Sequence, residues 1–412
     1  MEPWPAEVLE ERAGDVAVAF AALLTRQAAW RHRRVETISV LSHEGVRRAV
    51  SVDFTVPAEH REDLKLADGQ WVVPLAVLAK RALVHFDLRD EAGESLPLLR
   101  ADETRTISRE LLYLVLDLDL AAGERDDVDA SAVIESVLAM QPPEPVALSE
   151  IDAALARLEE QAGPLPGFAA LAGRLARGFL LCAVVRDVGR RRVVKFAYDE
   201  PIVRPSRLAH FYDAPGCTEA ASYHAEVAVP LELRARRAEL VDDATGSVLA
   251  SGPRDADRPS LYFAATRPDL RAGLSVSYGT ERGRFLVPAA LVAWLIALEL
   301  ALPWLFGDLG RLAAEAGPAI SIMLSSSAVF SALVLRTGEH PLLRVVLVPY
   351  RLWLAAATVA LVGCAGALGF HARTDVLRWA WGIGALVAVL AAVILTVQAV
   401  RAPSARRRPR PR

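Results

Sequence analysis

The last third of the chain contains four apolar segments, each long enough to cross a lipid bilayer. In chain order they cover about 285–306, 318–335, 352–370 and 379–400. A segment in hydrocarbon must satisfy its own backbone hydrogen bonds, which makes each of them an α-helix of about 20 residues. The sequence therefore predicts a four-helix transmembrane region at 285–400. A basic tail at 401–412 follows, and its arginines and prolines favour disorder.

Arginine is unevenly distributed around these predicted spans. Alternating crossings place the residues before 285, the loop at 336–351 and the tail on one side, and that side carries most of the arginine. Loops rich in positive charge stay in the cytoplasm, so we expect a multi-pass plasma-membrane protein with both termini cytoplasmic. A signal peptide around the apolar run 16–24 is the competing interpretation. Acidic residues precede that run where a signal needs positive charge, which disfavours it.

Several arginines near the span ends are predicted to contact lipid headgroups. Two of them, seven residues apart, share one face of an expected interfacial turn at 337–351 that leads into the third span. In the tail, each charge near an anionic surface contributes about 1 kcal/mol. The predicted headgroup contacts are Arg344, Arg351, Arg401, Arg406, Arg407 and Arg408.

Glu299 is the only carboxylate within a predicted span, which makes it a candidate intramembrane polar site because an unpaired charge in hydrocarbon is costly. It lies only a turn or two from the outer end of its span. Snorkelling to the interface or neutralisation is therefore the alternative interpretation. Small residues at helical spacing in the second and third spans favour close helix contacts, and with them a homo-oligomer formed through the membrane helices.

The residues before 285 have the pattern of a mixed α+β body. Its first helix is predicted to end with Arg26, Arg31, Arg33 and Arg34, because basic residues there would complement the helix dipole. Alternation of apolar and polar residues then indicates strands, and a helical period begins near Thr104. The predicted segments are an amphipathic helix at 1–34, a β-rich module at 35–100, a helical insert at 101–178 and a second β-rich module at 179–284.

The two β-rich segments also resemble each other in sequence. Arg47, Arg48 and Val50 recur in the same spacing as Arg191, Arg192 and Val194, and a second block around 73–82 recurs around 229–238. This pattern favours two related modules, with a sandwich-like fold as one form they could take. Chance similarity in a chain rich in alanine, arginine and valine is the alternative.

No motif in the sequence indicates catalysis, a cofactor or a metal. Phosphate-binding glycine loops and His-Glu-x-x-His are absent, and the net charge of -3 disfavours nucleic acid as a partner. His224 and Glu226 can share one face of a strand, but a solvent-facing strand gives the same pattern. The acidic run 117–129 misses the spacing of a calcium loop. Among the soluble cysteines, Cys217 is expected to be the exposed one.

Two stretches resemble segments of uncharacterised membrane proteins of actinobacteria. One is 222–226 with Val229 and Pro230, and the other is the loop at 338–341. The resemblance covers about the last half of the chain. It implies the topology and a bacterial source, and it transfers no active-site residue.

These observations favour a non-enzymatic, membrane-anchored protein of interaction or sensing. Its cytosolic body would bind an unidentified protein or ligand while the helices hold it at the lipid bilayer. The alternative is a membrane effector whose body senses a signal and whose helices form a pore. A hydrolase with a site assembled from distant residues, His224 and Glu226 among them, is the third possibility.

Overall fold

The structure, a computed structural model, describes residues 6–402 apart from short gaps. The gaps are 43–44, 81–82, 123–128, 140–144, 203, 206–208, 231–232, 265–269, 281–284, 308, 310–316, 319, 327–339 and 371–372. A mixed α+β region rich in strands comes first, and long apolar helices follow it at the carboxyl end.

The helices of the first region are α1 Ala6–Thr25, α2 Gln27–Trp30, α3 Ala101–Ala122, α4 Ser131–Val137, α5 Pro145–Ala162 and α6 Pro166–Arg177. The strands are β1 Arg31–Val40, β2 Gly45–Phe54, β3 Lys65–Ala67, β4 Gln70–Ala79, β5 Val84–Arg89, β6 Gly178–Val185, β7 Arg192–Pro201, β8 Arg204–Pro205, β9 Ala209–Asp213, β10 Ser222–Ala228, β11 Leu233–Asp242, β12 Val248–Ser251, β13 Ser260–Ala264 and β14 Ala272–Thr280.

These strands form three sheets in the described part of the chain. The six-stranded sheet has the order β13-β10-β1-β2-β7-β5, with β1 and β10 parallel and the other pairs antiparallel. The antiparallel five-stranded sheet has the order β12-β11-β14-β9-β8, and the three-stranded sheet has the order β3-β4-β6. The six-stranded sheet takes strands from both predicted β-rich segments, so those segments interleave where separate modules were predicted.

The first helix is shorter than predicted, because the chain enters β1 at Arg31. The prediction that Arg31, Arg33 and Arg34 end a helix is wrong. From Arg34 onward the buried positions alternate, and Glu36 and Ile38 are among them, which is the period of a strand with one buried face. Arg31 and Arg34 are buried in the sheet, so their charges pair inside the protein and do not complement a helix end.

Within the described residues, three helices at the carboxyl end are long and apolar enough to cross a membrane: α7 Val287–Phe306, α8 Pro341–Gly369 and α9 Thr374–Arg401. The predicted span at 318–335 is described only at 318 and 320–326, so most of it lies outside the described residues. The predicted interfacial turn at 337–351 is described from His340 onward, and Pro341–Arg351 are the first turns of α8, which runs without a break through Pro349. A helix of 29 residues is about 44 Å long, so its first turns extend beyond a hydrocarbon core of about 30 Å.

The contacts among these helices fix their relative directions. Trp294 Nε1 donates a hydrogen bond to Thr396 Oγ1 at 3.0 Å, while Trp304 packs at Gly382, so α7 and α9 are antiparallel. The helices α8 and α9 form a hairpin, in which Cys364 packs at Gly384. It follows that α7 and α8 run parallel to each other.

Two hydrophobic cores organise the molecule. One lies among α1, the helices α3 to α6, and the strands β2, β4, β6 and β7. The other contains the inner face of the five-stranded sheet, the apolar ends of β1 and β10, and the buried faces of α7, α8 and α9. The second core is continuous from the β-sheet into the apolar helices.

Candidate functional site: a buried ion network and an apolar cavity

Charged side chains occupy the inner face of the six-stranded sheet, where strands ordinarily place apolar residues. Arg34 and Glu36 precede Ile38 and Val40 on the inward face of β1. A register shift between residues 31 and 33 turns Arg31 inward as well, which is the usual effect of a β-bulge. The bulge therefore places two arginines three residues apart on the same face.

Neighbouring strands add residues to this network. Arg48 lies on the inward face of β2 between Val46 and Val50, and Glu200 follows on β7. Tyr223 on β10 pairs in register with Arg34, while Glu219 reaches the network from the loop that precedes β10. The resulting cluster is Arg31, Arg34, Arg48, Glu36, Glu200, Glu219 and Tyr223, which we call the ion network.

Glu36 is at the centre of the ion network, with both carboxylate oxygens engaged. Arg34 Nη2 lies 2.9 Å from its Oε1, and Arg48 Nη1 lies 3.2 Å from its Oε2. Tyr223 donates its hydroxyl hydrogen to the same Oε2. Burial alone would raise the pKa of Glu36, but Arg48, Arg34 and the Tyr223 hydroxyl lower it to about 2. Glu36 is therefore a carboxylate anion at neutral pH.

The outer members connect the sheet to its surroundings. Arg34 Nη1 lies 2.7 Å from Glu219 Oε2, and Arg174 of α6 lies 3.3 Å from Glu219 Oε1. Arg48 Nε donates to Glu200 at 2.8 Å. Arg31 Nη2 donates to the Pro74 carbonyl of β4 at 2.8 Å. The ion network thus joins the six-stranded sheet, the three-stranded sheet and the helical insert.

The charged groups of the ion network bind one another, which indicates a structural role. Its carboxylates accept from guanidinium groups, and its tyrosine hydroxyl donates to Glu36. Burial, and then the negative charge of Glu36, raise the pKa of Tyr223. Cys217, the nearest thiol, is fully buried, so the prediction that it is exposed is wrong. Burial, with Glu36 and Glu219 close by, raises its pKa to about 12, so the reactive thiolate is scarce at neutral pH.

A separate cavity of about 210 Å³ lies between the helical insert and the strands β5 and β6, with Lys80, which follows β4, also in its lining. Its walls are mostly leucine and phenylalanine side chains, with Lys80 and Arg105 as the charged groups among its described lining residues. Helix α6 connects the cavity with the ion network, because Leu175 lines the cavity and the adjacent Arg174 binds Glu219. The cavity has the concave, largely apolar form of a small-molecule site.

Lys80 is the unusual group of the cavity. Its side chain is 8% exposed, and its ammonium donates to the Val137 carbonyl at the end of α4. Burial and the neighbouring Arg105 lower the pKa of Lys80 to about 8. A lysine in this state is held in its charged form only weakly, and a bound anion would stabilise that form.

The predicted membrane and headgroup residues occupy different environments. Glu299 accepts a hydrogen bond from Ser326 Oγ at 3.2 Å, so it has a polar partner within the helical region. Arg344 is exposed, and Arg351 lies over the ring of Phe285 at 5.8 Å. Arg401 is exposed at the end of α9. The predicted contacts at Arg406, Arg407 and Arg408 lie outside the described residues.

The other sequence candidates form ordinary structural contacts. His224 packs against the Tyr262 ring, and Glu226 pairs with Arg258. In the acidic run, Asp119 accepts from the Phe168 amide at 2.8 Å and so satisfies an amino-terminal N–H of α6. The described residues contain no cluster of histidine, cysteine and acidic side chains suited to a metal ion.

The sequence patterns described above predict neither the ion network nor the cavity. A signal for the first was present, because Arg48 interrupts the apolar positions Val46, Val50 and Val52 of a strand with one buried face. Glu36 does the same before Ile38. Such interruptions indicate buried charges that need partners, although the partners themselves come from distant parts of the chain. The cavity has no comparable signal, since its lining comes from several elements.

Protein-family models and curated proteins were compared with this sequence, and none of them matches it.

Proposed function

We propose that this chain is a ligand-sensing protein of a bacterial plasma membrane, with its α+β body in the cytosol and no catalytic step of its own. The observation that carries the proposal is the hydrophobic core shared by the five-stranded sheet and the helices α7, α8 and α9. A tethered body on a flexible linker could not pass a change of packing to its anchor. A body that shares its core with the membrane helices can do so.

A hydrogen-bonded contact between the body and α8 supports this coupling. His340 precedes α8, and its Nδ1 accepts from the Leu342 amide at 3.2 Å. Its Nε2 lies 3.1 Å from the carbonyl oxygen of Val40, the last residue of β1. The neutral tautomer with hydrogen on Nε2 satisfies both contacts. One imidazole therefore caps the helix and connects it to the strand that carries the ion network.

The proposed topology has four spans. Helices α7 and α8 are parallel, so the chain between Phe306 and Pro341 must return across the bilayer if both of them cross it. The apolar segment at 318–335 has the length for that return. Within it, Ser326 binds Glu299 of α7, and Ile320 lies near Gly369 at the far end of α8. These contacts favour a segment that starts at the far side and runs back toward the body.

Charge supports the cytosolic orientation of the body. Arg344 and Arg351 lie in the body-proximal part of α8, and Arg401 and the arginines of the tail lie at the end of α9 that returns to the same side. Positive residues next to spans favour the cytoplasmic side and the anionic headgroups there.

Cysteine labelling tests the orientation directly. The three native cysteines are all buried, so an introduced exposed cysteine reports alone. Ser95→Cys places a thiol on the body, and Thr374→Cys places one at the first residue of α9, both at exposed positions. In intact cells an impermeant maleimide should label Thr374→Cys only, and Ser95→Cys should react after permeabilisation. Labelling of Ser95→Cys in intact cells would overturn the cytosolic placement.

A flux measurement separates sensing from the pore-forming alternative. Vesicles that contain the purified chain and a trapped dye should retain the dye, because the described spans pack against one another through apolar side chains. Dye release that depends on the protein would support the effector instead and would remove the sensing proposal.

A further inference from the structure

The cavity contains a buried cation for which the described residues supply no counter-ion. Lys80 is only 8% exposed, and no carboxylate in the described part of the chain forms an ion pair with it. Its ammonium donates to the uncharged carbonyl of Val137. Since burial of an unpaired ammonium is unfavourable, the site is incomplete in electrostatic terms.

Arg105 adds a second unsatisfied donor to the same cavity. Its terminal nitrogen pairs with Glu135, but its Nε is buried and has no hydrogen-bond partner in the described part of the chain. The charge of Arg105 is close enough to Lys80 to lower the pKa of that amine. An anionic group between the two side chains would accept from both and would relieve their mutual repulsion.

The remainder of the lining is suited to a hydrocarbon chain. Phe86, Leu99, Leu138 and Leu180 form apolar walls. A cavity of about 210 Å³ is several times larger than the space that one water molecule needs, so it accommodates a hydrocarbon chain of limited length. A ligand of that size with a single anionic end matches both the polar and the apolar parts of the site.

We propose that the cavity binds a medium-chain apolar monocarboxylate, whose carboxylate pairs with Lys80 and Arg105 while its chain lies between the walls of α3 and β6. This inference rests on the proposed function, because it names the class of ligand that the cytosolic body senses. A carboxylate has two oxygens that can accept from the two separate cations at once. An alcohol or an amine of equal length lacks that complementarity.

The test uses the full chain in lipid nanodiscs and octanoate labelled with ¹³C at the carboxyl carbon. A bound carboxyl resonance, absent from empty nanodiscs, reports binding in the cavity as distinct from partition into lipid. We expect octanoate to compete for this site at least tenfold better than octan-1-ol or octylamine. Equal competition by the alcohol would mean that the cations do not select the headgroup, and the proposal would fall.

Two substitutions of Lys80 and one matched control assign the site. Lys80→Met keeps the apolar stem without the charge and should weaken octanoate binding at least tenfold. Lys80→Arg should retain binding. Lys195→Met removes an exposed lysine and should leave binding unchanged. A thermal melt of each variant verifies folding, and an unchanged affinity in a folded Lys80→Met variant would overturn the assignment.

The pH dependence provides an independent readout. Octanoate binding should weaken between pH 7 and pH 9.5 as Lys80 loses its proton, and this decline should vanish in Lys80→Arg. The other titratable groups at the described cavity are Arg105 on α3, which pairs with Glu135 of α4, and Cys182 on β6, whose pKa burial raises beyond this range. A decline that persists in Lys80→Arg would contradict the role of Lys80.

The failure of this inference is distinct from the failure of the proposed function. If octanoate does not bind while the labelling pattern of Ser95→Cys and Thr374→Cys is as expected, the ligand class is wrong and the membrane topology stands. If Ser95→Cys is labelled in intact cells, the cytosolic placement is wrong whatever the cavity binds.

Discussion

Glu36 and Arg48 form an ion pair on the inner face of the six-stranded sheet, with 3.2 Å between Arg48 Nη1 and Glu36 Oε2 and neither side chain more than 3% exposed. Desolvation offsets much of the attraction in such a pair, so its value lies in specificity as much as in stability. A one-residue slip between β1 and β2 would turn Glu36 away from Arg48. The pair therefore selects one register among those that alternating apolar residues allow.

Adjacent arginines on β2 provide a test of what burial does to an ion pair. Arg48→Met removes one of the two cations that pair with the buried Glu36 carboxylate, and we expect it to destabilise the protein by about 3–5 kcal/mol. Arg47→Met removes the neighbouring, partly exposed pair with Asp199 and should cost less than about 1 kcal/mol. Denaturant unfolding of the purified full chain measures both. Similar losses for the two variants would show that burial does not determine the effect.

Stability should fall in acid because of Glu36. Its ordinary pKa of about 4.5 is lowered to about 2 in the folded protein, so the anion is favoured by folding. The corresponding stabilisation is complete above pH 4.5 and is lost as the pH falls toward 2. Its size is on the order of 3 kcal/mol. In thermal melts from pH 7 to pH 2, the melting temperature of the wild type should approach that of Glu36→Gln. Two curves that stay parallel throughout would contradict this prediction.

The local patterns in the sequence were sufficient to predict much of the fold. Apolar alternation at Val50, Val52 and Phe54 predicts β2, and the structure places these side chains in a core. Long apolar runs predict transmembrane helices because backbone groups in hydrocarbon must pair within their own segment. Three of these helices are present among the described residues.

Local patterns in the sequence do not specify which distant strands pair with each other. Strand β1 pairs in parallel with β10, and no local pattern in either strand specifies a partner nearly 190 residues away. The ion network has the same difficulty, since Arg34 meets Glu219 only because of that pairing. The cavity depends on the packing of α3 against β6 around Lys80, so it too results from tertiary structure and not from local pattern.

Gly216 permits the close approach of the ion network to the loop before β10. A Cβ at this position would lie 2.2 Å from the Arg34 guanidinium, which is inside van der Waals contact. Gly216→Ala must displace that guanidinium from Glu36 and Glu219, and we expect a loss of about 1–3 kcal/mol. Gly14→Ala is the matched control at an exposed position of α1, where a Cβ meets nothing and helix propensity favours alanine by about 0.5–1 kcal/mol. Relative to the wild type, the free energy of unfolding should fall in Gly216→Ala and rise in Gly14→Ala. An unchanged free energy of unfolding in Gly216→Ala would mean that the loop can move aside.

The cysteines provide a measure of how well the cores are closed. Cys182, Cys217 and Cys364 are all buried, and burial raises the pKa of the Cys182 and Cys217 thiols. Because the thiolate is the reacting form, the folded chain should be nearly inert to an aromatic disulfide reagent at pH 8. After denaturation three thiols should react.

Opening of the loop that carries Cys217 would expose that thiol alone, so the rate at which Cys217 is modified reports on the integrity of the ion network. Gly216→Ala should increase that rate and leave the rate at Cys182 unchanged, whereas equal increases at both sites would indicate global unfolding instead.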